Sequence, residues 1–394
     1  MASAPLQVER IEKFADLEAL KETWNTLLRH NSTRTVELTY EWQTTYWKYF
    51  HQNTELFVLV VKEAGSVVAI APLKLTHTTQ FGANVRVLEF IAADESNYQD
   101  FIAKQNDERI LACLLGYLKD NRQLWDMLNL MHIPEQSPTA HFLLNAQDNI
   151  PLCRIAKIEK CIFIKVNGIW EEQIQKLSKK STRKKMRKRI SRLKKFGELD
   201  YACCSNEEEL ETGLQKFFNF HRKRWNPTNT PSQFNEDRYC DFYSEVSQKL
   251  FNKGQANLAI LRVGKIPVAM IYFFLYDHAY LLQLGTYDTD YGKGSPAIVL
   301  QELIIRQAFA DGIRIIDDGY YYPYKELWAH GFKQRLNIEM YPRGLRPYYF
   351  YVLHSLKHFF RTNLKKITPL RELIRYARRK IRSMGKREIS EAIE

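Results

Sequence analysis

The chain has 394 residues, 45% hydrophobic and 13% aromatic, enough apolar material for a substantial core and two domains of ordinary size, which excludes disorder along its whole length. Its 58 Lys and Arg exceed 45 Asp and Glu for a formal charge of +13, and the excess is concentrated. Residues 178–197 hold eleven basic residues and no acid, residues 341–394 hold fourteen basic against four acidic, and the rest of the chain is −8. Two basic devices are therefore set on a mildly acidic body.

The six cysteines include no Cys-x-x-Cys pair and no zinc-type cluster with histidine, so no metal site is expected and a reduced, cytosolic compartment fits best. The opening "MASAPLQVERIEKF" lacks the apolar stretch of a signal peptide, and "IPVAMIYFFLY" is too short to span a bilayer. The expectation is a cytoplasmic protein that at most lies on a membrane.

In chain order, "DLEALKETWNTLLRHN" places Leu17, Leu20, Trp24, Leu27 and Leu28 on one helical face behind an Asp16 cap. The aromatic "TYEWQTTYWKYFH" reads as a second helix, and "LFVLVVKEAGSVVAIAPLKL" as a hairpin turning at Gly65. Strand, helix and strand follow through "RVLEF", "ERILACLLGYLKD" and "WDMLNLMHI", then "CIFIKV". The second half repeats the order: helices "EEELETGLQKFFNFHRKRW" and "EDRYCDFYSEVSQKLF" precede a hairpin turning at Gly264. Each hairpin's second strand has an early alanine, Ala69 or Ala269, which points to two copies of one α/β unit. After the strand "AYLLQLGTYD" come the loop "TDYGKGS", the helix "PAIVLQELIIRQAFADG" and the strand "IRIIDDG". The tail from Pro347 reads as helical, with Leu370, Leu373, Ile374, Ala377 and Ile381 forming an apolar stripe flanked by arginines.

Chemistry concentrates in the second half. In "LGTYDTDYGKGSPAIVLQEL" a strand delivers a glycine-containing loop into a helix start. Gly292 and Gly294 allow close backbone approach, Ser295 is placed to cap, Pro296 suits the first turn, and the helix terminus favours an anion. The loop matches neither the Walker pattern nor a dinucleotide fingerprint. "IDDGYYYPYKELWAHGF" gathers acids, tyrosines and a lysine where a strand ends; Asp317 and Asp318 point to opposite faces, so one of them meets a site. "NFHRKRW" brings His221, Arg224 and Trp225 onto about one helical turn, pairing a candidate base with a candidate anion contact.

These segments resemble the CelD/BcsL-type (BioF-like) acetyltransferase-domain family of the GNAT superfamily, related to Fem-type aminoacyl transferases. The resemblance runs over roughly residues 15 to 340 and is carried by "YEW" (Glu41, Trp42), "NYQDF" (Asp100), the basic helix from Arg183 through Leu193 to Gly197, "HRKRW", "YDTDYGKGSPAIVL" and "IDDGYYYPYKELW". It implies an α/β fold of two tandem GNAT-like domains with mixed, mainly antiparallel sheets. The corresponding division is 1–165, 166–345 including the basic helix 178–197, and a basic amphipathic helical tail 346–394.

The implied activity is acyl transfer from a thioester, acyl-coenzyme A or acyl carrier protein, to an amine or hydroxyl of an envelope polysaccharide or lipid precursor, with no permanently bound cofactor. Two departures stand out: "YDTDYGKGSP" lacks the usual Arg/Gln-x-x-Gly-x-Gly/Ala order, and "IDDG" runs into tyrosines. Carried onto this chain, the resemblance gives Gly285, Tyr291, Gly292, Gly294 and Ser295 as donor-binding residues. Glu41, Trp42, Asp100, Arg183, Arg224 and Trp225 become substrate-binding residues. The chemistry asks for a base and for backbone N–H donors to the oxyanion. Asp318 is the first candidate to bind or deprotonate the acceptor, Tyr324 and Lys325 to orient it, Tyr287 to protonate the leaving thiolate, and His221 an alternative base.

In the basic stretch Thr182, Met186, Ile190, Leu193 and Gly197 form one narrow packing side, and the rest is cationic. Three uses remain open: gripping a carrier's phosphates or an acidic carrier protein, binding aminoacyl-tRNA, or docking to anionic lipid. The aromatic and basic tail favours peripheral association with the inner face of a membrane. The rival reading is a nucleic-acid-binding protein with an inactive transferase fold.

Overall fold

The computed structural model describes residues 4–104, 107–145, 152–177 and 180–363. The first half runs β1 (Leu6–Ile11), α1 (Lys21–Arg29), α2 (Tyr40–Phe50), β2 (Thr54–Leu56), β3 (Val58–Glu63), β4 (Ser66–Ala71), β5 (Leu73–Gln80), β6 (Ala83–Phe90), β7 (Ile102–Ala103), α3 (Glu108–Asp120), β8 (Met127–Pro134), α4 (Pro138–Asn145) and β9 (Leu152–Lys165). The second runs α5 (Trp170–Leu177), α6 (Lys180–Lys194), β10 (Leu199–Cys203), α7 (Glu207–Trp225), α8 (Asp237–Phe251), β11 (Ala256–Val263), β12 (Ile266–Tyr276), β13 (Ala279–Tyr287), α9 (Pro296–Ala310), β14 (Ile315–Tyr320), β15 (Gly331–Tyr341) and α10 (Leu345–Asn363).

Among the described residues one sheet has the order β1-β3-β4-β7 and a larger one β10-β11-β12-β13-β14-β9-β15-β8-β6-β5-β2. Pairing is antiparallel except at β6–β8 and β13–β14, the mixed α/β arrangement expected.

The repeat is visible in strand register. Both hairpins close with two residues, pairing Glu63 with Ser66 and Val263 with Ile266, and both carry a bulge just before the turn, pairing Val61 with Ala69 and Leu261 with Ala269. Gly264, at φ 59°, takes a left-handed conformation at the first turn position, where glycine is favoured. One expectation differs: Asp16 lies inside a short 3-10 helix, Phe14–Leu20, and Lys13 occupies the cap position without a side-chain bond. Burial of Leu17 and Leu20 fixes that turn without a capping carboxylate.

The two halves are interleaved. β9 from the first half lies between β14 and β15, while β15 from the second lies between β9 and β8. The β9–β15 pair extends from Phe163–Gly331 to Leu152–Tyr341. Helices α2 and α8 seal the same seam, with fully buried Trp42 edge-on to Phe242, Tyr243 and Phe274 at ring separations of 5.1, 6.3 and 5.2 Å. Edge-on packing of this kind contributes about 0.5–1.5 kcal/mol per pair beyond burial. The tail helix begins as expected with α10; Leu370, Leu373, Ile374, Ala377 and Ile381 lie outside the described residues.

Candidate active site

β13 and β14 run parallel for only three paired positions, ending at Leu281–Asp317, and then part. A bulge in β13 facing Tyr272 and Phe273 turns the strand where it leaves its partner. Residues 282–287 thus present a backbone edge without a neighbouring strand, and the Gly285 carbonyl is taken instead by the Arg224 guanidinium at 3.3 Å. Hydrogen-bonding groups left free in a wedge of this kind suit an extended amide-containing ligand.

One side of the wedge collects most of the residues proposed from sequence. The Arg224 guanidinium lies 4.6 Å from the Tyr287 ring centre and 4.9 Å from that of Trp225. Tyr322 and Tyr324 stack at 6.0 Å, and Tyr320 meets Tyr322 edge-on at 5.4 Å. Asp318 is buried, accepting a 2.5 Å bond from Gln301 on α9 and ion-pairing with Lys325 at 3.2 Å; the Lys325 ammonium also donates to the Asp318 carbonyl. Burial pushes the Asp318 carboxyl up to about 6 against the pull of Lys325 and Gln301. Burial, with the Asp318 charge adding to it, pushes the Tyr324 hydroxyl up to about 12, so it remains a proton donor at neutral pH.

The loop after β13 folds as a 3-10 turn, Thr289–Gly294, leading into α9. Lys223 holds it from α7 through Asp288 at 2.6 Å and Asp290 at 2.7 Å. The backbone N–H groups of Tyr291 and Ser295 bond within the loop, to the Asp288 and Gly292 carbonyls. Ser295 does not cap α9 as expected: at φ 51° it is left-handed, and its side chain makes no cap bond, leaving the first turn without a side-chain partner. Gly292 lies beside the Tyr287 ring, while Gly294 is buried under Leu193 of α6, where a Cβ would overlap that side chain.

Helix α6 therefore sits directly on this loop. Met186 and Leu193 are buried and Thr182 and Ile190 half-buried, matching the predicted packing side, and Arg192 donates to the Lys293 carbonyl at 3.3 Å. Lys184, Lys185, Arg187 and Lys188 are exposed and form no ion pair among the described residues. Arg183 donates to the Gln175 carbonyl at 3.4 Å, at the far end of the helix from Leu193.

Three other sequence candidates support the opposite wall. Trp42 donates to Ser96 at 2.9 Å, Glu41 pairs with Lys253 and accepts from Asn25 at 3.0 Å, and Asp100 accepts from Thr33 and Ser137 at 2.5 and 2.6 Å. They do not line the wedge; Ser96 and Asp100 bracket the segment that does. Asn97 enters it, 3.0 Å from where a Cβ on Gly319 would lie, and donates to Gln283 at 2.5 Å, while Gln283 donates to the Glu95 carbonyl at 2.7 Å. Buried Glu37 accepts from the Asn97 and Tyr98 backbones at 2.6 and 2.9 Å, and burial pushes its carboxyl up to about 7.

His221 faces away: Nδ1 meets Ser232 at 2.7 Å, the ring lies among Phe217, Trp225 and Phe234, and burial pushes it down to about 4, leaving it neutral. Asp317 accepts from Tyr98 at 2.8 Å and lines a seam cavity of about 400 Å³ together with Arg34, Ser137 and Lys333. Glu37 and Asn97 meet from positions sixty residues apart, and Gln283 joins them from the other half, so no local pattern links the three; "NYQDF" contained Asn97, but its spacing gives no sign of a distant strand.

Residues 180–326 match the family model of the Acetyltransferase (GNAT) domain. The matched segment starts at α6 and ends just beyond Lys325, enclosing the wedge, the loop and the basic helix. The fold is similar to the crystal structure of FemX, at 11% identity and a TM-score of 0.61, over 88% of this chain and 100% of that one. It is also similar to a conserved protein of unknown function from Bacteroides thetaiotaomicron VPI-5482, at 10% identity and a TM-score of 0.53, over 85% and 100%. No curated protein matches the sequence. The matched segment is a GNAT-fold transferase domain, the enzyme class expected from the sequence.

Proposed function

We propose that the protein transfers an acyl group from a phosphate-bearing thioester, acyl-coenzyme A in the first instance, to an amine or hydroxyl brought in through the seam. The observation that carries this reading is the stacking of the cationic helix α6 on the loop Asp288–Ser295 beside the open edge of β13. A donor's phosphates would meet the uncapped start of α9 and the exposed lysines of α6, while its amide-containing arm runs along residues 282–287.

In the proposed step the acceptor's nitrogen or oxygen attacks the thioester carbonyl. A carbon–nitrogen or carbon–oxygen bond forms, the carbon–sulfur bond breaks, and the departing sulfur takes a proton from Tyr287. The acceptor's proton returns to that tyrosine through water, and free N–H groups of β13 hold the oxyanion. Asp318, enclosed by Lys325 and Gln301, serves as the anchor that fixes Lys325 and Tyr324 rather than as the base. The acceptor proposed is an envelope polysaccharide or lipid precursor, met at the inner face of the membrane.

Titration calorimetry with acetyl- and palmitoyl-coenzyme A tests this. Saturable binding that weakens in Arg224→Ala supports it, and absence of binding to either removes it. A second reading, aminoacyl-tRNA as donor, is favoured by the length of the α6 cationic face, which exceeds what one coenzyme's phosphates need. Retention of aminoacyl-tRNA with no affinity for either thioester would select it.

A further inference from the structure

We propose that α10 is a docking helix for an anionic lipid surface. The inference concerns where the enzyme works and stands apart from the chemistry proposed above.

This helix has two apolar sides, and only one is buried against the fold. Pro347, Phe350 and His354, spaced by three and four, face inward: Phe350 is fully buried, and His354 Nδ1 meets the Tyr341 hydroxyl at 2.9 Å. On the other side Leu345, Tyr348, Tyr349, Leu356, Phe359 and Phe360 are between 43 and 93% exposed. Their spacing puts them on one face, with half-buried Val352 between Tyr349 and Leu356, as a stripe about four turns long. Scattered exposed apolar residues are ordinary, whereas a continuous aromatic stripe marks an interaction surface.

A separate element extends it. Phe81, 40% exposed at the tip of the β5–β6 hairpin, is held beside α10 by its carbonyl, which accepts from Tyr349 at 3.1 Å, and by the His354 ring at 5.0 Å. Lys357 lies 5.7 Å from the Phe81 ring. Aromatic side chains beside lysine and arginine suit the boundary between headgroups and acyl chains.

Charge selects the occupant. Residues 342–371 contain seven basic residues and no acid. A symmetric second copy would bring this face against its own like charge. Residues 364–394 hold ten basic residues against four acidic and cannot neutralise it. An anionic leaflet supplies both an apolar layer and negative charge.

The test is flotation of the full-length protein with vesicles of phosphatidylcholine alone or containing about 30% phosphatidylglycerol. Binding is expected only to the anionic vesicles and should fall as salt screens the surface. The variant Leu356→Ser/Phe359→Ser/Phe360→Ser, altered only at exposed positions, should lose at least about tenfold in vesicle affinity while keeping its melting temperature and any acetyl-coenzyme A affinity. Undiminished binding by that variant would place attachment elsewhere in the chain. Failure of the parent to bind, or a dimer abolished by the same substitutions, would likewise overturn the proposal.

Discussion

Replacement of Gly294 by alanine tests what holds the basic helix to the loop. The added methyl overlaps Leu193 at both its branch point and one terminal carbon, and Leu193 is fully buried, so a tip rotation does not relieve the contact. Overpacking of this kind costs about 1–3 kcal/mol. At about 2–4 °C per kcal/mol for a unit of 150–250 residues, the melting temperature should fall by roughly 2–12 °C. Leu193→Ala alone leaves a cavity and costs about 2–5 kcal/mol.

In the double variant the new methyl occupies part of the space Leu193 vacates, so the combined loss should fall short of the sum by about 0.5–3 kcal/mol. Calorimetric melting of the four proteins, with acetyl-coenzyme A titration alongside, measures this. Strictly additive losses would refute the packing account. So would a Gly294→Ala protein of unchanged stability that has lost ligand binding, which would assign the glycine to ligand approach alone.

Glu37, held near 7 by burial against an ordinary 4.5, keeps its proton in the folded state where the unfolded state has released it. Its stabilising contribution is full below about 4.5 and is lost as pH rises through about 7, so Glu37→Gln should gain on the parent by up to about 3 kcal/mol across that window. Urea midpoints at about pH 5 and about pH 7.5 measure this, and a constant gap refutes it. Converting Lys184, Lys185, Arg187 and Lys188 to glutamine should leave the melting temperature within a few degrees, yet lower acetyl-coenzyme A affinity by about tenfold and flatten its salt dependence. Unchanged affinity would separate α6 from the donor. Trp42→Ala should cost about 3–5 kcal/mol in urea unfolding, because it removes a fully buried ring from the seam; a loss below about 1 kcal/mol would contradict that role. His221→Gln should lower stability through its aromatic packing while keeping acetyl-coenzyme A affinity within about twofold, and a larger loss in titration would return the residue to the site.

Local signals were legible because their causes are local. The two-residue hairpins at Gly65 and Gly264, the amphipathic helices behind them, and the narrow packing side of α6 follow from turn chemistry and periodicity. So did the cluster of Tyr324, Lys325 and Asp318, since acids and tyrosines at a strand end are adjacent in sequence. The sequence by itself determined that the chain repeats an α/β unit, carries a glycine loop before a helix, and keeps its positive charge in two segments. Tertiary structure alone decided that the repeats exchange their long strands β9 and β15, and that Asn97 reaches Gln283 in the other half. It also decided that Trp42 and Asp100 build a wall rather than touch the wedge, and that α6 covers Gly294. The physical reason is that side-chain pattern fixes which face of an element is buried, whereas the partner of that face depends on strand pairing between residues more than a hundred positions apart.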